Sequence, residues 1–187
     1  MAQRMTPRDR MLHSAVALFR ERGVAGTALS DVISHSGAPR GSLYHYFPDG
    51  KAQLAREATA HAGRLMTRFI TKSMAAHGPA GAIREIVGFF RQQLLDTDFA
   101  SGCPVAAGAL EGGDAPEARR IAGEAFGSWE AALSTALREH GIPRPDTVAT
   151  LIVCAVEGAI VVAKAQRSTR PLDRVAEELT TLLRAEG

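Results

Sequence analysis

Residues Thr27–Lys51 read T-A-L-S-D-V-I-S-H-S-G-A-P-R-G-S-L-Y-H-Y-F-P-D-G-K, and the fold turns on how this stretch is read. Leu29, Val32 and Ile33 stand at i, i+3 and i+4, the spacing that gives a short helix one apolar face. Gly37 follows, and glycine reaches the left-handed conformation of a sharp turn without a Cβ penalty. Pro39 suits the opening turn of a second helix, where a missing N–H costs little. Leu43 and Phe47 are four residues apart in that helix and are predicted to point inward, leaving Arg40, Gly41, Ser42, Tyr44 and His45 on or near the outer surface. Donors and rings so placed meet phosphates and base edges, so the segment is predicted to be a helix-turn-helix DNA reader.

The flanking sequence continues as helix. Pro7–Arg22 carries Met11, Leu12, Ala15, Leu18 and Phe19 at three- and four-residue spacing, with Thr6 placed to cap its start and Gly23 to stop it. Lys51 to about Ala76 reads as a long fourth helix ended by His77-Gly78-Pro79. Further helices are predicted over Ala80–Leu95, Pro104–Glu111, Pro116–His140, Asp146–Gln166 and Pro171–Ala185, each junction marked by Pro or Gly. No sustained period-2 run bounded by hairpin turns occurs. The expected fold is all-α, with about nine helices: a three-helix DNA-binding head over residues 1–50 and a larger helical body over 51–187.

At 187 residues, 45% of them hydrophobic, the chain can bury a substantial core and is not disordered. Its net charge of +2 is unevenly spread. Residues 1–56 hold 8 Lys+Arg against 4 Asp+Glu and the remainder 14 against 16, a split of +4 against −2 that coincides with the predicted reader. No run of about 18 consecutive apolar residues appears, and M-A-Q-R-M-T-P-R-D-R lacks the apolar core of a secretion signal, so a cytoplasmic chain with no membrane partner is expected. Two cysteines, Cys103 and Cys154, are too few for a disulfide framework or a zinc site, and both are expected to be small buried hydrophobes. No metal or cofactor is implied.

S-G-A-P-R-G-S-L-Y-H-Y-F-P, preceded by G-x-x-x-T and followed by a lysine, resembles the DNA-binding signature of the TetR family of bacterial repressors. The extra residue in P-D-G-K-A-Q-L and the later S-G-C-P-V-A-A at Ser101–Ala107 are similar to that family's LmrA/YxaF-type branch. Ala28 stands where the family usually has a second Thr, a helix cap, and Pro39 where it usually has Ser, which leaves Thr27 as the alternative cap. The resemblance implies that Arg40, Gly41, Ser42, Tyr44 and His45 face the groove of an operator and that Thr27 and Lys51 hold phosphates at either end. Tyr46 either touches DNA or packs against the first helix. One short reader helix supplies little specific affinity, so two copies on successive major grooves are expected on physical grounds as well. By resemblance the homodimer forms through the last two helices, where Ala155, Gly158 and Ala159 permit close approach.

The resemblance further implies a small-molecule effector that enters the body and releases DNA. Candidate wall residues are Met66, Phe69, Phe89, Phe90, Phe126, Trp129 and Leu133, where bulky side chains cluster at helical spacing. Glu157 is the outlier. A carboxylate inside V-C-A-V-E-G-A-I-V-V must be paired, protonated or wet, and is a candidate anchor for a cationic or hydrogen-bonding ligand. Cys103, in S-G-C-P at the start of a predicted helix, is the candidate for thiol chemistry, as a redox sensor or a nucleophile. His77 and His140 are isolated and no H-E-x-x-H, G-x-S-x-G or phosphate-cradling glycine loop occurs, so the sequence assigns no catalytic residue.

Overall fold

The computed structural model describes residues 5–113 and 115–185, apart from the side chains of Arg40 and Ala185. Among the described residues there are eight α-helices, one 3-10 turn and no strand. The helices are α1 (Pro7–Arg22), α2 (Leu29–Ser36), α3 (Leu43–Tyr46), α4 (Gly50–Asp96), α5 (Pro104–Ala109), α6 (Pro116–Glu139), α7 (Pro145–Gln166) and α8 (Arg170–Ala185), with the 3-10 turn Arg40–Ser42 before α3. Eight rather than nine are counted because α4 continues through the expected stop. Its break is confined to Gly78, at φ 64° and ψ 178°, and Pro79 restarts the helix at once.

Local chemistry sets the ends of α1. Thr6 Oγ1 accepts from Asp9 N at 3.2 Å while Asp9 Oδ2 accepts from Thr6 N at 3.3 Å, a reciprocal cap, and Gly23 at φ 74° ends the helix. The α2 start differs from expectation. Ala28 is the N-cap and offers no side-chain acceptor, so the compensation comes from Asp31 Oδ2, which accepts from Ala28 N at 3.3 Å. Thr27 does not cap.

The packing divides the chain into two compact units. The first holds the described residues up to Gly63 together with those of Pro104–Glu124, and the second holds Arg64–Cys103 with those from Ala125 onward. The division expected after residue 50 followed the end of the reader helix. Packing carries the first unit further because α5 lies against α1 and because Gly108 lets Thr59 close in: a Cβ there would stand 2.6 Å from Thr59 Oγ1. In the first unit Met11, Ala15 and Phe19 of α1 meet Val32, Leu43, Phe47, Leu54, Ala58 and Ala118 in one core. The Arg8 guanidinium lies over the Phe47 ring at 5.5 Å and pairs with Glu57, holding α1 to α4.

In the second unit α7 packs on α8. Val148, Ala149, Ile152, Val156, Ala159, Ile160 and Ala163 form the buried face of α7, and Leu172, Leu179 and Leu183 that of α8. α7 alone among the described helices is long and apolar enough to cross a membrane, with a mean hydropathy of 2.0 over 18 residues, although Glu157 lies within its apolar stretch. Only part of that apolar surface is buried within the protomer, and the remainder forms an exposed stripe.

Candidate nucleic-acid interface and body cavity

Leu43 and Phe47 are fully buried, and this anchors the reader turn so that its intervening residues face outward. Tyr44 is 66% exposed and His45 is exposed beside it, its ring 4.9 Å from that of Tyr46. Tyr46 is half-buried and packs against the core of the first unit, so of its two expected roles the free protein displays packing. Gly41 is exposed with open space where a Cβ would stand, and Ser42 Oγ donates to Pro39 O at 2.6 Å, closing the turn. The backbone of Arg40 opens that turn; its side chain lies outside the described residues. The reader helix is thus one 3-10 turn followed by four α-helical residues, shorter than its sequence suggested.

The two residues expected to hold phosphates differ in placement. Lys51 is half-exposed on the first turn of α4, with Nζ donating to Ala25 O at 3.0 Å, a surface contact it can exchange for an anion. Thr27 is only 1% exposed and its hydroxyl donates to Gly23 O at 2.8 Å, so in the free protein it closes the turn between α1 and α2.

The second unit contains an apolar cavity of about 30 Å³, lined by Met66, Ile70, Ile86, Phe90, Trp129, Leu133, Ile152, Val153, Val156 and Glu157. Five of the nine candidate ligand residues line it: Met66, Phe90, Trp129, Leu133 and Glu157. Phe126 stands behind Trp129, edge to face at 5.0 Å. Phe69 and Phe89 pair with each other at 5.6 Å, with Phe89 45% exposed, and neither lines the cavity. The aliphatic walls Ile70, Ile86, Ile152, Val153 and Val156 were not among the expected residues, because branched aliphatics at helical spacing look the same in any core. A space of this size admits a water or two. A drug-sized molecule, which fills roughly 300–1,000 Å³, requires it to open.

Glu157 is the polar exception in that wall. Burial pushes its carboxyl up from the ordinary 4.5 to about 7, against a smaller opposing effect of the Cys103 side chain hydrogen-bonded to it. Its Oε2 is buried with no hydrogen-bond partner among the described residues. Cys103 is buried as expected, and its thiol is hydrogen-bonded to this carboxylate. A wider recess of about 330 Å³ lies between α6 and α7 and is more polar, lined by Glu130 and by Arg138 and Asp146, which pair at 3.2 Å.

Cys154 is exposed, contrary to expectation. It belongs to a stripe on α7 that also holds Leu151, Gly158, Val161 and Val162, spaced three and four apart, with Val161 60% exposed. The helix is apolar nearly all round, and the structure buries one face within the protomer and leaves the other open. Of the three small residues, Gly158 is on the open face, Ala155 at its edge, and Ala159 inside the protomer.

Comparison with known proteins connects both halves of the chain to one family. Residues 11–58 match the family described as bacterial regulatory proteins, tetR family, and residues 79–178 match the LmrA/YxaF-like transcriptional regulator C-terminal domain. An uncharacterised HTH-type transcriptional regulator of Mycobacterium tuberculosis is 43% identical over 96% of this chain and 95% of its own length. The HTH-type transcriptional regulator YxaF of Bacillus subtilis is 34% identical over the whole of both chains, and LmrA of the same organism 32% identical over 95% of this chain and 96% of its own. In fold, the chain superposes on a crystal structure of regulatory protein TetR from Rhodobacter sphaeroides with a TM-score of 0.82, covering 92% of this chain and 96% of that one at 20% identity. The exposed reader turn, the all-helical body and these full-length relatives agree: the chain belongs to the TetR family of bacterial transcriptional regulators, in its LmrA/YxaF-like branch.

Proposed function

We propose that the protein is a dimeric repressor that binds a two-fold symmetric operator and leaves it when a small molecule enters the body. The observation that carries the DNA-binding part is the reader turn, where buried Leu43 and Phe47 fix Ser42, Tyr44 and His45 on the surface beside Lys51. One such turn makes a small interface, and two copies a helical repeat apart give the affinity a repressor needs. The open face of α7 supports pairing. A continuous apolar stripe of Leu151, Cys154, Val161 and Val162 is costly to leave in water, and a second copy of the same stripe covers it with self-complementary shape.

The apolar cavity with its one carboxylate supports the effector role. Met66 and Ile70 of its wall stand on α4, the helix that begins at Gly50 directly after the reader, so opening the cavity displaces a helix continuous with the DNA-binding segment. To convert the population from nearly all DNA-competent to nearly all incompetent, a ligand needs about 5.5 kcal/mol of preference between the two states. The test is to sequence genomic fragments retained by the purified protein and to determine how many chains occupy each. A palindromic consensus bound by two chains supports the reading, and fragments bound without sequence preference contradict it.

A further inference from the structure

We propose that the body cavity is selective for organic cations: an apolar molecule whose protonated amine pairs with Glu157 Oε2 while its body displaces the aliphatic wall and rests on the Trp129 and Phe90 rings. The inference rests on the effector role proposed above and specifies its chemistry. Nine of the ten lining residues are apolar, and the tenth presents a carboxylate oxygen that is buried and has no partner among the described residues. A carboxylate so placed is destabilised when ionised, and a ligand that brings a positive charge recovers that loss and adds a charge-assisted hydrogen bond. A neutral molecule adds at most the hydrogen bond, and an anion adds repulsion. Trp129 and Phe90 stand in the same wall, and a ligand cation seated over an aromatic ring is favoured over a neutral isostere.

Of the lining residues Met66, Val153 and Glu157 are half-exposed and the others buried, and the unbranched Met66 side chain can swing aside to admit a ligand.

The chain has a single tryptophan, so emission from Trp129 reports on this cavity alone. Three probes of equal length are titrated at pH 8 into the full-length protein: n-octylammonium, n-octanol and n-octanoate. Octylammonium is expected to shift the emission saturably with at least about tenfold higher affinity than octanol, and octanoate to bind more weakly than either. Glu157→Gln is expected to erase the ammonium preference to within about twofold, with circular dichroism confirming the fold. Octanoate binding as well as octylammonium, three equal affinities, a preference that survives Glu157→Gln, or no saturable signal from any probe would each overturn the proposal. The probe series on the unsubstituted protein decides the matter even if the variant misfolds. Release of retained DNA is measured separately: ammonium binding without release refutes the effector role and leaves the cation selectivity standing.

Discussion

Replacing Glu157 with Gln is expected to stabilise the protein, and to do so only at neutral and alkaline pH. Burial raises the folded-state carboxyl from 4.5 to about 7, the hydrogen bond from Cys103 offsetting only part of the effect. Below the unfolded value the group is protonated in both states and costs nothing. As pH rises between 4.5 and about 7 the unfolded chain releases a proton that the folded chain retains, so stability falls with rising pH, and above about 7 the loss is complete. At about 1.4 kcal/mol for each tenfold difference in proton affinity, that interval amounts to about 3 kcal/mol at pH 8 and under about 1 kcal/mol at pH 5. Glutamine has the shape of the protonated acid and never ionises. Urea denaturation of both proteins at one fixed concentration, from pH 5 to pH 8.5, measures the difference directly, and carboxylates common to both cancel. The variant should be equal or nearly so at pH 5 and more stable by about 3 kcal/mol at pH 8. A difference that stays constant across this range, or a variant less stable at pH 8 than at pH 5 relative to the parent, would refute the reasoning that Glu157 is ionised at the expense of the fold.

Other substitutions test separate parts of the account. Gly108→Ala places a Cβ 2.6 Å from Thr59 Oγ1 and 2.9 Å from its Cγ2, and should lower stability by about 1–3 kcal/mol in thermal melts. Gly127→Ala, in the middle of α6 with nothing within 4 Å of the added Cβ, should raise stability by about 0.5–1 kcal/mol. Lys51→Ala should weaken binding to all DNA sequences alike and lower the slope of log affinity against log salt by about 1, leaving the melting temperature unchanged. Val161→Lys puts a charge into the exposed α7 stripe and is expected to convert the proposed dimer to monomers by light scattering at micromolar concentration, with helicity retained.

Much of this fold is legible in the sequence because helices announce themselves twice, by spacing and by punctuation. Thr6, Asp9 and Gly23 fix both ends of α1, and Gly37 at φ 61° ends α2 where the sequence places the turn. Punctuation misleads where one residue absorbs it: Gly78 alone takes up the discontinuity, so the helix resumes and two expected elements become α4. Thr27 looks like a cap because its residue type is right, yet its hydroxyl reaches back to Gly23 O and Asp31 serves the α2 terminus instead. For the reader, Leu43 and Phe47 suffice to orient the intervening residues. The cavity is less legible, since Ile70, Ile86, Ile152 and Val156 satisfy the same periodicity as any core residue, and only the carboxylate of Glu157 breaks the pattern. The exposed face of α7 cannot be told from its buried face by hydropathy, because both are apolar.

The central claim is that a surface turn near the amino end enters duplex DNA and is presented twice by a symmetric pair. Stoichiometric titration of the purified protein with its best retained genomic fragment, followed by light scattering, tests it most directly. Two chains per palindromic site, with affinity falling steeply as salt rises and abolished by Val161→Lys, is the predicted result; a monomer that binds every fragment equally, or none at low salt, would contradict it.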